Sequence, residues 1–280
     1  MLLRSLKHSV NVFVFLFSFG LFSQEIDVFE LPSELSEISG LEQLNDTTLV
    51  AINDSGNDAI LYLLNMDGSL QRRVEVNGVK NTDWEDLARD KDHLYIADIG
   101  NNFNKRKDQK ILKVRISDIV GKDNVNAQKI VIRYSEQTRF PPEKDSLFFD
   151  AESIAISGDS IILVTKNRNV PWNGEAYVYS IPKNPGNYSL KASKRLDIGS
   201  GSWRTDSATA MDIFKGEWYI LTYGKLQKYS TNGNDLVWKH TFKFRKFTQK
   251  ESVVVTEDYI FVADEKHKLL GGGKLYRIHP

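Results

Sequence analysis

The sequence predicts an all-β chain folded as a β-propeller of five four-stranded blades, and two observations predict it. The first is a pattern of about forty to sixty residues that recurs five times from Ser39 onward. Each copy opens on a polar or acidic residue ahead of a short apolar strand: Ser39-Gly-Leu-Glu, Glu85-Asp-Leu-Ala, Glu152-Ser-Ile-Ala, Thr209-Ala-Met-Asp and Glu251-Ser-Val-Val. Thirteen to fifteen positions later each copy ends a second strand on a polar residue, at Asp54, Asp98, Lys166, Tyr223 and Asp264. A strand-built repeat of this length signals radial repetition. The second observation is that strands count four to a repeat.

In chain order the first repeat offers Ser39–Leu44, Leu49–Asn53, Ile60–Asn65 and Arg72–Val76. The second offers Glu85–Ala88, His93–Ile99, Ile111–Ile116 and Lys129–Tyr134, and the third Glu152–Ile156, Ser160–Thr165, Ala176–Ile181 and Ser193–Ile198. The fourth offers Thr209–Phe214, Glu217–Thr222, Leu226–Ser230 and Leu236–Phe242. The fifth has only Glu251–Val255, Tyr259–Ala263 and Lys274–His279. It is one strand short, while Ile26–Leu31 precedes the first repeat as an orphan strand. Pairing the orphan at the outer edge of the last blade closes the ring and covers an open sheet edge. Twenty strands then fill five blades. The alternative, six blades, would need strands within Ser135–Phe149, where Pro141-Pro142 and several charges read as a loop.

Patterning agrees. Second strands such as Ile161-Ile162-Leu163-Val164 are continuously apolar, as expected where both sheet faces are covered. Fourth strands alternate, as Val74 and Val76 do around Glu75, which suits an outer strand half in water. Asp67-Gly68, Asn232-Gly233 and Gly271-Gly272-Gly273 supply turn chemistry between strands. No segment carries sustained helical periodicity.

Residues 1–24 read as a signal peptide, with Arg4 and Lys7 ahead of an apolar Val10–Phe22 and the small Ser23 at the cleavage region. The apolar run is shorter than the ~20 residues that span a bilayer. Residues 25–280 then form one domain, exported to the periplasm or the extracellular space, with no membrane span after cleavage. The chain has no cysteine, so packing alone must hold the domain together. The exported part carries 35 basic and 37 acidic residues without a basic stripe, which argues against a nucleic-acid or membrane-surface role.

Asp83-Trp84-Glu85-Asp86-Leu87-Ala88 followed by Tyr95-Ile96-Ala97-Asp98-Ile99-Gly100-Asn101-Asn102 resembles the SdiA-regulated and esterase-like phytase group of exported bacterial propellers. Ile52-Asn53-Asp54-Ser55-Gly56, Phe149-Asp150-Ala151-Glu152 and Val164-Thr165-Lys166 extend the resemblance over three repeats. It implies a propeller fold and export. Members of that group are often described with six blades, whereas the strands here count five.

Strands within a blade are antiparallel, so the start of the first and the end of the second share a face. All ten marker positions are therefore expected around one mouth of the central channel. The candidate ligand-binding residues are Asp54, Glu85, Asp98, Arg106, Glu152, Lys166, Arg168, Tyr223, Glu251 and Asp264. Converging carboxylates, joined by Asn53, Asn101 and Asn102, suit Ca²⁺, with Glu85, Asp98, Glu152 and Glu251 as candidate ligands. Unpaired acids that close raise one another's pKa unless a cation holds them. The competing expectation is that each acid caps a turn or pairs with Lys166, Arg168, Lys250 or Lys266. Trp172 offers a stacking surface beside Arg168, and Trp84 reads as packing between blades.

Other machineries are missing. Outside the leader the histidines are His93, His240, His267 and His279, one at a time, which argues against a zinc cluster or a Ser-His-Asp triad. Ser200-Gly201-Ser202 lacks a nucleophile elbow, and Gly271–Lys274 lacks the rest of a phosphate loop. The leading expectation is an exported propeller that binds a small or extended, anionic ligand at an acidic mouth through Ca²⁺, without obligatory catalysis. The alternatives are a Ca²⁺-dependent phosphoester or lactone hydrolase with Glu85 or Glu152 as general base, and a scaffold whose rim contacts an envelope protein.

Overall fold

Five short strands wall a central channel, and each starts a blade. The computed structural model describes residues 25–233 and 235–279. The signal-peptide expectation for 1–24 lies outside these residues. Blade 1 consists of β2 (Ile38–Asn45), β3 (Thr48–Asn53), β4 (Ile60–Leu64) and β5 (Leu70–Asn77), and blade 2 begins with β6 (Trp84–Arg89), β7 (His93–Asp98) and β8 (Lys110–Arg115). After helix α1 (Ile116–Gly121) and β9 (Asn124–Asn126) the chain returns to blade 2 as β10 (Gln128–Tyr134). Blade 3 holds β11 (Asp150–Ser157), β12 (Ser160–Lys166), β13 (Glu175–Pro182) and β15 (Lys194–Asp197), with β14 (Gly186–Leu190) interposed. After helix α2 (Trp203–Asp206), blade 4 holds β16 (Ala210–Phe214), β17 (Glu217–Leu221), β18 (Lys225–Asn232) and β19 (Asp235–Lys243). Blade 5 holds β20 (Lys250–Val255), β21 (Ile260–Asp264) and β22 (Lys274–Ile278), and β1 (Ile26–Glu30) joins it. The inner strands touch in the closed order β2, β6, β11, β16, β20 and back to β2.

Closure takes the expected route. Strand β1 pairs antiparallel with β22, Ile26 opposite Ile278 and Glu30 opposite Lys274. Arg277 bridges to Asp27 at 2.6 Å and Lys274 to Glu30 at 2.6 Å. The edge of the last blade is thereby covered by the start of the chain.

The count of twenty strands needs correction: the described residues contain twenty-two, with two short helices. Strand β9 adds to β5 in parallel, and β14 adds to β10 in parallel. Each comes from the following blade and caps the outer edge of the one before, so blades 1 and 2 have five strands. Ser135–Phe149 forms no strand, which removes the sixth-blade alternative.

One apolar cluster fills each of the five blade interfaces. Between blades 1 and 2, Ile52 and Leu61 meet Trp84 and Ile96. Tyr95 and Ile111 meet Ile154 and Leu163 between blades 2 and 3, and Val164 and Val178 meet Met211 and Trp218 between blades 3 and 4. Leu221 meets Val262 between blades 4 and 5, and Phe261 meets Leu41 and Leu49 across the closing interface. Trp84 is fully buried, as its packing role requires. A ring of sheets packed face to face explains the continuously apolar second strands, because both faces of each are covered. No helix among the described residues is long and apolar enough to cross a membrane.

Candidate functional site at the channel mouth

A β-bulge builds this site. In blades 1, 2, 3 and 5 the register of the two inner strands slips at the marker residue: between Ile38 and Gly40, Trp84 and Asp86, Ala151 and Ser153, and Lys250 and Ser252. The skipped residues are Ser39, Glu85, Glu152 and Glu251. A bulge leaves its extra residue out of the ladder and re-aims the side chain, here toward the channel mouth. Blade 4 pairs in register from Ala210 onward. Two hydroxyls stitch blades instead, Ser39 Oγ donating to Trp84 O and Thr209 Oγ1 to Lys250 O, both at 2.7 Å.

The mouth encloses a cavity of about 280 Å³, lined by six carboxylates against two cations. The carboxylates are Glu37, Asp54, Glu85, Glu152, Glu251 and Glu265; the cations are Lys166 and Arg168, with Asn102, Trp203, Tyr223 and Gln249 completing the wall. The three marker glutamates thus share one cavity with Asp54, Lys166 and Tyr223.

Asp98, Asp264 and Arg106 do not line the cavity, and register explains it. Asp98 pairs across the ladder with Trp84 and Asp264 with Lys250, the residues just before the bulge; Asn53 and Thr165 hold the matching positions in blades 1 and 3. Side chains alternate along a strand, so these four point into the blade while Asp54, Lys166 and Glu265, one residue later, reach the mouth. Asp98 is fully buried between Arg106 at 2.8 Å and Lys110 at 2.6 Å. Asp264 accepts from Thr248 Oγ1 at 2.6 Å, Tyr276 OH at 2.8 Å and Lys274 N at 2.9 Å. With both oxygens of Asp98 engaged, it is not a metal ligand here, and the caps-and-pairs expectation describes these two acids.

Within the cavity the charges divide into a neutralised side and an acidic side. Lys166 Nζ contacts Glu152 Oε2 and lies 3.1 Å from Tyr223 OH. Arg168 donates to Asp150 at 2.7 Å, to Glu152 at 3.1 Å and to Asn102. Asp150 is held from behind by Asn101 N at 2.8 Å. Burial disfavours the ammonium of Lys166, but the Glu152 carboxylate outweighs it and holds the lysine well above its ordinary pKa. Asp150, Glu152, Lys166 and Arg168 therefore balance two charges against two.

Asp54, Asp83 and Glu85 have no ion pair as close as these among the described residues. Among the described residues no side chain or backbone group donates to the Glu85 carboxylate, and the nearest cation to Asp83 is Arg106 at 4.0 Å. Burial, then the charges of Glu152, Asp54, Asp83 and Asp150, push Glu85 well above the usual carboxylate range. Burial and then Asp54 push Asp83 up to about 7, and burial raises Asp54. On blade 5, next to blade 1, burial and then Asp54 push Glu265 up to about 7, and burial raises Glu251 strongly.

Oxygens from Asp54, Asp83 and Glu85 all lie within 4.8 Å of one another, as do oxygens from Glu85, Asp150 and Glu152. Ligands sharing one Ca²⁺ at about 2.4 Å lie no farther apart than about 4.8 Å. Glu251 belongs to neither group. Asp83 and Asp150 stood in the family-like motifs but not among the candidate site residues. Glu37, Gln249 and Glu265 carried no motif; a constant spacing of fourteen from the bulge residue would have found Glu265, since Glu152 to Lys166 and Thr209 to Tyr223 share it.

No family model and no curated protein matches this chain. Solved structures do match in fold. A putative oxidoreductase (glucose dehydrogenase) from Thermus thermophilus superposes with a TM-score of 0.52 at 11% identity, covering 91% of this chain and 100% of the other. A PQQ-bound aldose sugar dehydrogenase from Streptomyces coelicolor gives 0.53 at 10% identity, covering 91% and 98%. Glutaminyl cyclase from Myxococcus xanthus gives 0.56 at 9% identity, covering 91% and 95%. The chain is a β-propeller. Identities this low carry the fold and not the chemistry, and the resemblance to the SdiA-regulated and esterase-like phytase group rests on sequence motifs alone.

Proposed function

We propose that this chain is an exported propeller whose mouth binds a divalent cation of the Ca²⁺ class on Asp54, Asp83 and Glu85, and with it a ligand, catalysis not being required. One observation carries the reading: three carboxylates with raised pKa values share a small volume with Arg106, 4.0 Å from Asp83 and also paired to Asp98, as their one nearby cation among the described residues. Like charges held this way need protons or a cation. All three donors are hard oxygens, which suits Ca²⁺ rather than a thiolate- or imidazole-seeking metal. A bound cation would supply charge neutralisation and open coordination positions facing the cavity. Lys166 and Arg168, on the neighbouring blade beside Glu152, would orient an anionic group of the ligand toward those positions.

A second reading is favoured by the free carboxylate of Glu85. A phosphoester or lactone hydrolase needs a general base within reach of a metal-activated water. Glu152 is engaged by both Lys166 and Arg168, so Glu85 is the better base of the two.

Calorimetric titration of Ca²⁺ into chelator-treated protein at pH 8 tests the primary reading. Heat that saturates at one site in the wild type and disappears in Glu85→Gln supports it; no heat in the wild type ends it. Hydrolysis of p-nitrophenyl phosphate, phytate and simple lactones then separates the two readings.

A further inference from the structure

Among the described residues, half of the large exposed apolar side chains stand on the loops around the mouth. Phe103 (78% exposed) follows Asn102 of the cavity wall, Val170 (64%) follows Arg168, and Trp203 lines the cavity itself. Phe247 lies two residues before Gln249, and Leu269 (89%) and Leu270 lie just after Glu265. These tips come from blades 2 to 5. Blade 1 contributes only Asp54-Ser-Gly-Asn-Asp58, which has no large apolar group.

The same loops carry many more exposed cations than exposed acids: Asp108 is exposed, whereas Asp206 is buried and Glu265 half-buried. Asn102–Lys107 holds Lys105, Arg106 and Lys107; Arg204 follows Trp203; Arg245 and Lys246 precede Phe247; Lys266 and Lys268 precede Leu269. Arg106 is committed to Asp98. The other seven are exposed, and among the described residues none makes an ion pair. Of the acids of the mouth, Glu85 and Glu152 are buried and Asp54, Glu251 and Glu265 half-buried, while Glu37 is exposed. The near-neutral composition hides this arrangement, because the fold lifts these seven cations to the rim and buries Glu85 and Glu152 in the channel.

We propose that this crown docks the propeller, mouth first, onto an anionic lipid surface. Isolated exposed side chains need no explanation, but large apolar tips gathered on one face mark an interaction site. Aromatic and aliphatic tips flanked by Lys and Arg match the interface of a bilayer: the apolar groups enter the headgroup–acyl boundary and the cations sit among anionic headgroups. Tips spread over four blades ring a 280 Å³ cavity, so a molecule filling that cavity does not cover them, whereas a planar surface does. The inference goes beyond cation binding and does not depend on it. It reverses the expectation drawn from composition alone that a membrane-surface role is absent.

Cosedimentation of the full domain with phosphatidylcholine vesicles, and with vesicles that also contain phosphatidylglycerol, tests the crown. Each mixture is run in EDTA and in calcium. The expected result is binding to the anionic vesicles in both buffers and none to phosphatidylcholine alone, undiminished by free glycerol phosphate. Two variants, Phe103→Ser with Leu269→Ser and Lys266→Glu with Lys268→Glu, are each expected to lose at least tenfold of the binding. Val237→Ser with Trp238→Ser, on the exposed outer strand β19, is expected to retain it. No binding to anionic vesicles overturns the proposal, as does equal loss in the β19 variant. Binding that appears only with calcium and survives both crown variants also overturns it, and assigns the contact to the metal site instead.

Discussion

A methyl group placed on Gly100 would lie 1.9 Å from Glu85 Oε1 and 2.5 Å from the Asp83 carboxyl. The missing side chain of Gly100 is the space in which these two acids converge. Its backbone is not in the left-handed region, so the requirement is for room and not for glycine's conformational freedom. Gly100→Ala is expected to spread the carboxylates apart and lower calcium affinity by about tenfold or more, the usual cost of disturbing what orients a metal's ligands. The melting temperature in EDTA should fall much less than the calcium-dependent shift. Equal calcium shifts in wild type and variant would show that the triad is not the metal site.

The protonation state of the mouth sets a second expectation. Asp83 and Glu265 have folded pKa values near 7, above ordinary values of 3.8 and 4.5, chiefly through burial. Between those limits the native state binds more protons than the unfolded chain, so stability falls as pH rises. In EDTA the unfolding free energy should therefore decline from about pH 4 to about pH 7, and calcium should restore it at the upper end by replacing the protons. Urea titrations at pH 5, 6, 7 and 8, with and without calcium, measure both effects. A calcium effect equally large at pH 5 and pH 8 contradicts proton–metal competition.

Lys166 and Glu152 form a buried pair, and removing one partner strands the other. Lys166→Met is expected to cost about 3–5 kcal/mol, while the double change with Glu152→Gln recovers most of it. Chemical denaturation of the two single variants and the double variant closes the cycle. Additive losses would mean that the pair is not energetically coupled.

Ring closure predicts that a chain beginning at Leu35 loses several kcal/mol, since β22 is left with an unpaired edge and Phe29 no longer covers the closing interface. Thermal melting of the shortened and full domains decides it, and equal melting temperatures contradict the closure.

The propeller was legible because burial on both faces writes long apolar runs into second strands such as Ile161–Val164. The closing strand was legible because one blade came up short. Strands β9 and β14 were not: Asn124–Asn126 is three residues long, and Gly186–Leu190 is polar at alternate positions, so neither shows until a neighbouring edge is there to pair with. At the mouth, Glu85, Glu152 and Glu251 could be found because the bulge repeats at one sequence position. Asp98 and Asp264 misled because a polar residue ending a strand looks alike on either face, and one residue of register decides whether it meets the channel or the blade. Asp83 and Asp150 went unread although each stands two residues before its bulge residue, as Glu37 and Gln249 stand before Ser39 and Glu251, because the marker pattern was read only from the bulge onward.

A cation proposed to hold Asp54, Asp83 and Glu85 together has a crystallographic signature. A crystal grown with calcium at pH 8 tests for it most directly, through the anomalous signal at the channel mouth. The expected result is a peak bonded to oxygens of all three residues at about 2.4 Å, lost in Glu85→Gln. A mouth with no such peak, in which these carboxyls hydrogen-bond to one another as protonated acids, would contradict it.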